Sequence, residues 1–196
     1  IRPQDENLSL LLKGELNIAT CHQCKTAFVL SVPVVFRDDE ERYIVYFLPL
    51  ENPQRWEEVE SQMTALTESL FADYDDLEEP EFRLAITRNM FIEKITLHLH
   101  ELDDRIVEYI KYQLHQNGQS RINPLRSELL YDFSQADHDK LGFILVNRES
   151  GQPTAGAHVP MDLYREIAET FSSSGRLRHE LDALFPGFFV SVERLL

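Results

Sequence analysis

The feature that most constrains the fold is a helical period of apolar residues between Thr87 and Gln116. Apolar side chains recur there at intervals of four, four, three, four and four residues, at Phe91, Ile95, Leu99, Leu102, Ile106 and Ile110. This spacing places them on one face of a helix, and such a face needs cover from other parts of the chain. The stretch predicts one helix or a pair of helices, because Asp103-Asp104 interrupts it and Asp is a favoured N-cap residue.

A β-hairpin is predicted in the first half of the chain, over residues 27–49. Two runs rich in β-branched and aromatic residues, 27–36 and 42–49, flank a short cluster of charged residues. This pattern is typical of two antiparallel strands joined by a turn. A short helix that ends at Gly14 is predicted before the hairpin, over residues 8–18.

An amphipathic helix is predicted after the hairpin. Its apolar residues alternate between spacings of three and four, at Trp56, Val59, Met63, Leu66 and Leu70. Such a stripe is most often packed against the body of a protein. The surrounding segment, 51–82, holds eleven carboxylates and one basic residue, Arg55. Its last part, 73–81, predicts a solvated loop, since it lacks the ligand spacing of a calcium-binding EF-hand.

An antiparallel sheet is predicted in the last third of the chain. Its strands are expected at 128–133, 141–146 and 154–159. Pro160 is expected to begin a covering helix over 160–171, because proline is favoured in the first turn of a helix. A short helix near 177–185 and an edge strand at 188–192 are expected to follow it.

The turn-rich residues 116–123 form the best candidate for a domain boundary. We therefore expect two domains, 1–118 and 119–196. The predicted fold class is α+β: a β-hairpin with helices, followed by a small antiparallel sheet with a covering helix.

The chain carries a large negative charge. Its 196 residues include 34 Asp and Glu and 19 Lys and Arg, which gives a formal net charge of −15 at pH 7. A field of this sign repels phosphate backbones and anionic lipids, so we expect neither a nucleic acid nor a membrane as a partner. No apolar run approaches the roughly 18 residues that a membrane span needs.

The known sequence motifs of catalysis are absent from this chain. It contains no phosphate-binding loop, no dinucleotide-binding fingerprint and no Gly-x-Ser-x-Gly nucleophile elbow. We therefore predict no catalytic residue and no residue that binds an organic cofactor, which favours a role other than catalysis.

The most chemically informative motif is Cys21-His22-Gln23-Cys24, which holds both cysteines of the chain. A two-residue spacer lets both thiolates bind one tetrahedral zinc ion, so Cys21 and Cys24 are the predicted metal ligands. A structural zinc ion needs four protein ligands, and this motif supplies two. Two other interpretations stay open: a dithiol redox pair, and two reduced cysteines that bind no metal.

Several short motifs occur in an order that is typical of one family. They are Leu11-Leu12-Lys13-Gly14-Glu15-Leu16-Asn17, Thr20-Cys21-x-x-Cys24 with Phe28, the strand Tyr43–Pro49, Thr87-Arg88-Asn89 with Glu93-Lys94, and Leu102-Asp103-Asp104-Arg105. Together they resemble the bacterial and archaeal CpXC-domain family, which takes its name from a Cys-Pro-x-Cys motif. The resemblance covers residues 8–116, and residues beyond it look like an extension.

The resemblance implies a zinc-ribbon-like hairpin and zinc bound through two Cys-x-x-Cys pairs, of which Cys21 and Cys24 form the second. Because the first residue is Ile1 and not Met, we expect the sequence to begin inside a longer polypeptide, with the first pair upstream of Ile1. The zinc site is therefore expected to be incomplete in this chain. His22 and Lys25 depart from the family pattern, which has Pro and Gly at these positions.

Three functions follow as hypotheses. The leading one is a non-enzymatic binding or scaffold protein with a zinc-ribbon-like knuckle. The second is a thiol-dependent redox protein or enzyme that uses Cys21 and Cys24. The third is an acidic subunit of a larger assembly, in which segment 51–82 meets a basic partner.

The partner is expected to be an unidentified protein or a second copy of the chain in a homo-oligomer. We expect a cytoplasmic location, because two cysteines only three residues apart cannot form a disulfide framework and so indicate a reducing compartment.

Overall fold

The computed structural model describes residues 1–52, 55–71, 80–116 and 122–196, without the side chains of residues 70 and 71. The chain forms two compact units, Ile1–Ile95 and Thr96–Leu196. The boundary between them in the sequence falls within the helix Arg88–Leu99. The boundary expected between residues 118 and 119 lies outside the described residues. The mixture of helices with small sheets confirms the predicted α+β class.

The first unit begins with the short helix α1, Glu6–Leu12. The Asp5 side chain caps it by accepting a hydrogen bond of 2.9 Å from the backbone N–H of Asn7. The helix ends before Gly14, whose φ of +77° is the left-handed conformation that commonly follows a helix. The predicted stop at Gly14 is therefore correct, whereas Ile18, at the end of the predicted helical range, belongs to a strand.

Residues 27–36, which the sequence predicted as a single strand, form parts of two strands. Strand β2, Ala27–Val29, pairs antiparallel with β1, Ile18–Thr20. Strand β3, Val34–Asp38, pairs antiparallel with β4, Tyr43–Phe47, and this pair forms the predicted hairpin. The two pairs belong to separate sheets, and Pro33 lies between them, where it has no backbone N–H to give to a ladder.

The sheet that contains β3 and β4 is completed by a strand that the sequence reading missed. After the predicted amphipathic helix, α2 (Trp56–Phe71), the strand β5 (Glu81–Ala85) pairs in parallel with β4. Four of the five β5 residues, 82–85, are buried, so both faces of the strand are covered. Its polar–apolar alternation, from Glu81 to Leu84, is at the lower limit of the four to eight residues by which a strand is recognised, so the sequence signal is weak.

Only part of the predicted apolar stripe of helix α2 is shielded from solvent. Trp56, Val59 and Met63 are half-buried, and Leu66 is 63% exposed. The side chain of Leu70 lies outside the described residues, and so do residues 73–79 of the predicted solvated loop. The last residue of that predicted loop, Glu81, belongs to β5. Among the helices that the structure describes, none is long and apolar enough to cross a membrane.

The helical stretch with which the sequence analysis began is a pair of helices. Helix α3, Arg88–Leu99, ends before Asp103-Asp104, and helix α4, Asp104–Gln116, begins there. The Asp103 side chain accepts a hydrogen bond of 2.9 Å from the backbone N–H of Arg105, as an N-cap residue does.

The second unit holds the predicted antiparallel sheet with its covering helix. The strands β6 (Ser127–Tyr131), β7 (Lys140–Asn147) and β8 (Pro153–Pro160) pair in that order, and α5 (Met161–Ser173) packs on β7 and β8. Helix α6, Gly175–Leu184, follows. The core of the unit joins α4 to the sheet and to α6 through buried side chains, among them Ile106, Ile110, Leu141, Phe143 and Leu181.

The prediction of an edge strand at 188–192 is wrong. The chain forms instead a 3-10 turn at Val192–Arg194, in which backbone donors bond to side chains and not to a neighbouring strand. The N–H of Glu193 donates to the Ser191 hydroxyl at 3.2 Å, and the N–H of Val192 donates to a carboxylate oxygen of Glu108 at 2.7 Å. The other carboxylate oxygen of Glu108 accepts from Lys111 Nζ at 2.9 Å, and both side chains are only 2% exposed.

Replacement of Ile106 by Ala should lower the free energy of unfolding by about 2–5 kcal/mol, because the change leaves a cavity among buried side chains. Ile106 is 3% exposed. Replacement of Leu163, which is 43% exposed on α5, should lower it by less than about 0.5 kcal/mol. Urea unfolding of the two variants measures both values, and equal losses would contradict the assignment of this helix face to the core.

Replacement of Lys111 by Met should lower the free energy of unfolding by about 3–5 kcal/mol, because it leaves the Glu108 carboxylate buried without its cation. Arg165 and Asp162 form a matched pair with the same sequence spacing at 3.0 Å, but their side chains are 63% and 93% exposed. Replacement of Arg165 by Met should therefore change stability by less than about 1 kcal/mol. Comparable values for the two variants in thermal and urea unfolding would refute the importance of burial here.

Candidate metal centre

Cys21 and Cys24 lie in the turn that joins β1 to β2. Two backbone hydrogen bonds of 2.9 Å close this turn: Cys21 N–H donates to the Thr26 carbonyl, and Lys25 N–H donates to the Cys21 carbonyl. Each bond joins Cys21, the first residue of the motif, to a residue that follows Cys24. The cysteines are therefore presented by the tip of a two-stranded hairpin.

The hairpin is exposed over almost its whole length. The three residues of β2 are exposed, and none of the six residues in the two strands is buried. Cys24 is exposed and Cys21 is partly so, and neither takes part in a disulfide. The thiols are thus open to an incoming ion, reagent or second molecule.

Lys25, directly after the motif, has a left-handed backbone conformation. Its φ of +59° is one that a residue with a Cβ atom adopts at a cost of about 1–2 kcal/mol, whereas Gly adopts it freely. The chain therefore keeps the turn geometry although it has Lys where the family pattern has Gly. This conformation allows the Lys25 N–H to reach the Cys21 carbonyl.

The environment of Cys24 favours its thiolate form. Hydrogen bonding by the Thr26 side chain, then by the Thr26 backbone and the Cys21 side chain, lowers the pKa of Cys24 to about 7. In the protonated form the thiol donates to Thr26 Oγ1 at 3.3 Å. A thiolate is both the form that binds zinc and the nucleophilic form, so this environment suits either chemistry.

The donor set of this turn fits half of a zinc site. Two neighbouring sulfurs on one turn can occupy two corners of a tetrahedral site, and two more ligands are needed. Over the described ranges of the chain, no group of three or more Cys, His, Asp or Glu side chains is arranged to hold a metal ion. His22 is exposed between the cysteines and does not complete such a group.

Two further histidines, His98 and His100, lie at the end of α3 and directly after it, in the second unit. The Nδ1 atom of His100 is hydrogen-bonded to the hydroxyl of Tyr131 at 2.9 Å, and the two rings meet edge to face. His100 thus has a polar partner within its own unit.

A surface cavity in the second unit contains two groups of possible catalytic type, Asp132 and His158. The Asp132 carboxylate already accepts hydrogen bonds from the N–H and the hydroxyl of Ser134, at 3.0 and 2.6 Å. It therefore holds its own turn together. His158 is exposed at the edge of the sheet, on β8.

Sequence reasoning found the two cysteines and missed Thr26 and the role of Lys25. A hydroxyl two residues after a cysteine carries no recognised motif, so only the turn geometry reveals its contact with Cys24. A signal for Lys25 was available, because a Gly position in a turn is often one that needs a positive φ.

Comparison with known proteins adds one match. A family model described as CpXC protein matches residues 3–111 of the chain. No curated protein and no solved structure is similar to it. The matched range includes the hairpin with both cysteines, the second sheet and most of α4.

Replacement of Thr26 by Val should raise the pKa of Cys24 from about 7 toward its ordinary value, because the Thr26 hydroxyl makes the largest contribution to the lowering. The rate of alkylation at Cys24, resolved by mass spectrometry in metal-free buffer, reports this pKa as a function of pH. Replacement of Thr20 by Val is the matched control, because Thr20 is an exposed residue on the opposite strand. It should leave the pH profile of Cys24 alkylation unchanged. An unchanged profile in the Thr26 variant would show that another group holds the thiolate.

Proposed function

The chain belongs to the CpXC family, and we propose that it is a non-enzymatic binding or scaffold protein with a zinc-ribbon-like metal site in which Cys21 and Cys24 are ligands. The observation that carries the proposal is the position of two neighbouring cysteines on the exposed tip of a hairpin whose strands have no core of their own. A zinc ion bound there would supply a tetrahedral cross-link and no redox chemistry.

The stability of the hairpin supports a structural role for the metal. An isolated two-stranded hairpin is at best marginally stable in water, because it buries too little apolar surface. A metal ion that binds the folded turn and not the unfolded segment adds its binding free energy to folding. Cys21 and Cys24, together with the bonds that close the turn, are the groups of this chain through which such stabilisation would act.

The expected location is a reducing compartment such as the cytoplasm. Zinc binds the thiolate form of cysteine, so both residues must remain reduced. Two cysteines in a chain of this length also provide no framework of structural disulfides.

The low pKa of Cys24 favours a second candidate function, a thiol-dependent redox protein or enzyme. The Cys24 thiolate would attack the disulfide of an oxidised substrate, and Cys21 would then displace the reduced substrate, leaving a Cys21–Cys24 disulfide. The metal-free chain would then reduce a small aromatic disulfide faster than a free thiol of equal pKa does. A rate that follows the thiolate concentration alone would remove this candidate.

The zinc proposal predicts that the 196-residue chain binds Zn²⁺ through both cysteines. Titration with Zn²⁺ should show binding to the 196-residue chain and none to the variant with Cys21→Ser and Cys24→Ser, and we expect this binding to be weak because the turn supplies two of the four ligands of a structural site. With Co²⁺ as a probe, the natural chain should show thiolate-to-cobalt charge-transfer absorption. Zinc should also slow hydrogen exchange of the amides in residues 18–29, because binding opposes local opening of the hairpin.

Two single variants serve as controls for this experiment. His22→Ala should keep the metal, since His22 belongs to no group of donors in the described part of the chain. Lys25→Gly should keep the metal and stabilise the turn, because it removes the strain of a left-handed residue with a side chain. Equal zinc content in the natural chain and the double serine variant would refute the metal site, and turnover of a substrate in an unbiased metabolite screen would refute the non-enzymatic role.

A further inference from the structure

Strand β8 is an open edge of the sheet in the second unit. The sheet has the order β6, β7, β8, and no strand in the described ranges of the chain pairs with the free side of β8. Residues Pro153–Gly156 and His158 are exposed. The strand is eight residues long, has no charged side chain and has prolines only at its two ends. Charges and prolines within an edge strand are the usual means by which a protein keeps that edge from pairing with another chain, so β8 is unprotected.

The register of β7 and β8 shows which backbone groups of β8 point outward. In an antiparallel pair, residues that bond to the neighbouring strand alternate with residues whose N–H and C=O point away from it. Gly142 on β7 points away from β8, because its carbonyl accepts a hydrogen bond of 2.9 Å from the N–H of Asp132, on the side of β6. Its partner His158, and Gly156 two residues away, therefore direct their N–H and C=O groups to the open edge. No backbone hydrogen bond reaches these groups from elsewhere in the part of the chain that the structure describes.

Nothing within its own chain explains why residue 156 is glycine. Its φ lies outside the left-handed region, and an added Cβ atom would meet its nearest neighbour, the Phe143 carbonyl oxygen, at 3.6 Å, which is an ordinary contact. Gly142 differs, since a Cβ atom there would lie 2.8 Å from the Asp132 carbonyl oxygen. Glycine weakens the interior of a strand and commonly marks a place where another backbone or a ligand comes close. Gly156 therefore indicates an approach to β8 from outside this chain.

The charge distribution favours a second copy of this chain as the molecule that approaches. Each copy has a net charge of −15, so two copies repel each other where acidic surfaces meet. Strand β8 offers a segment that has no carboxylate of its own. The spacing of its free backbone groups is also self-complementary. When two β8 strands run antiparallel, Gly156 of each strand can lie opposite His158 of the other.

We infer that two copies of this chain pair through their β8 strands, antiparallel about a two-fold axis at Ala157, and so join two three-stranded sheets into one sheet of six strands. Each Gly156 exchanges two backbone hydrogen bonds with His158 of the other copy, and the imidazole ring of that His158 covers the bare backbone at Gly156. The small side chains of the two Ala157 residues meet at the axis, where the strands come closest. The interface is of the self-complementary kind that two-fold dimers use. It goes beyond the proposed function and does not involve the cysteines.

The first measurement is the molecular mass of the 196-residue chain as a function of protein concentration, by light scattering, with a reductant and a metal chelator present. The inference predicts a reversible dimer under these conditions. The variant with Cys21→Ser and Cys24→Ser should form the same dimer, because neither cysteine lies on β8. The dimer should strengthen as salt is raised, because salt screens the repulsion between the two acidic chains.

Hydrogen exchange of the backbone amides locates the interface in the unmodified chain. The amides of Ala157 and Val159 point toward β7 and should be protected in both monomer and dimer. Those of Gly156 and His158 should exchange freely in dilute solution and become protected as the dimer forms. A dimer in which the Gly156 and His158 amides still exchange freely would refute pairing through β8.

Two proline variants test the same edge. Gly156→Pro removes an outward N–H and no hydrogen bond of the sheet within the chain, so the fold should remain while each dimer loses two hydrogen bonds. We expect the dissociation constant of the dimer to rise about tenfold or more. Gly175→Pro is the matched control, because Gly175 is the first residue of α6 and follows Ser174, whose backbone is extended. It should leave the dimer unchanged, and so should Gly156→Ala, which keeps the N–H.

The remaining outcomes separate this inference from the proposed function. A chain that stays monomeric at every concentration would refute self-pairing and leave the edge of β8 to a strand of a different protein. A dimer that requires zinc or the cysteines would place the interface at the hairpin tip and refute the inference. If Gly156→Pro does not fold, the exchange of the Gly156 and His158 amides in the unmodified chain decides. None of these results depends on whether Cys21 and Cys24 bind zinc in a monomer, so the two proposals can fail separately.

Discussion

A hairpin of two short strands that buries none of its strand residues cannot hold its shape through its own packing. This constraint governs the interpretation of the first unit, because the two cysteines lie at the tip of that hairpin. The bonds that close the turn fix the positions of Cys21 and Cys24 relative to each other. They do not supply the apolar burial that the strands lack, so a group bound at the turn, as proposed above, would add to the stability of the hairpin.

The second unit is stabilised in the opposite way. Its helices α4, α5 and α6 and its sheet surround a contiguous apolar core, and even its charged groups are enclosed when they are paired. The Glu108 carboxylate bonds both to Lys111 and to the backbone of Val192, so one buried acid joins a helix to the C-terminal turn. An uncharged residue at position 108 would deprive the buried Lys111 cation of this carboxylate. This unit needs no ligand to explain its fold.

The sequence was sufficient to predict helices and strands whose signal lies within a short segment. It was not sufficient where contacts with residues far away in the sequence determine the structure. The helix pair around Asp103-Asp104 and the three strands of the sheet in the second unit, β6–β8, were predictable from periodicity and turn residues. Strand β5 was not, because its alternating run is only four residues long and its pairing partner, β4, lies on the other side of α2 in the sequence. At the candidate metal site both cysteines were identified from their spacing. The contact of Thr26 with Cys24 was not, since it depends on how the turn closes.

The parallel pairing of β4 with β5 also has a consequence for how the chain acquires its fold. Tyr43 lies opposite Glu81, so the sheet cannot be completed until the whole intervening stretch with α2 has been synthesised and closed into a loop. Pairing across such a distance is slow, and β4 has an open edge in the meantime. The stretch that must close carries ten carboxylates and one arginine. Mutual repulsion between these segments keeps nascent chains apart during the interval in which their unfinished sheets would otherwise join.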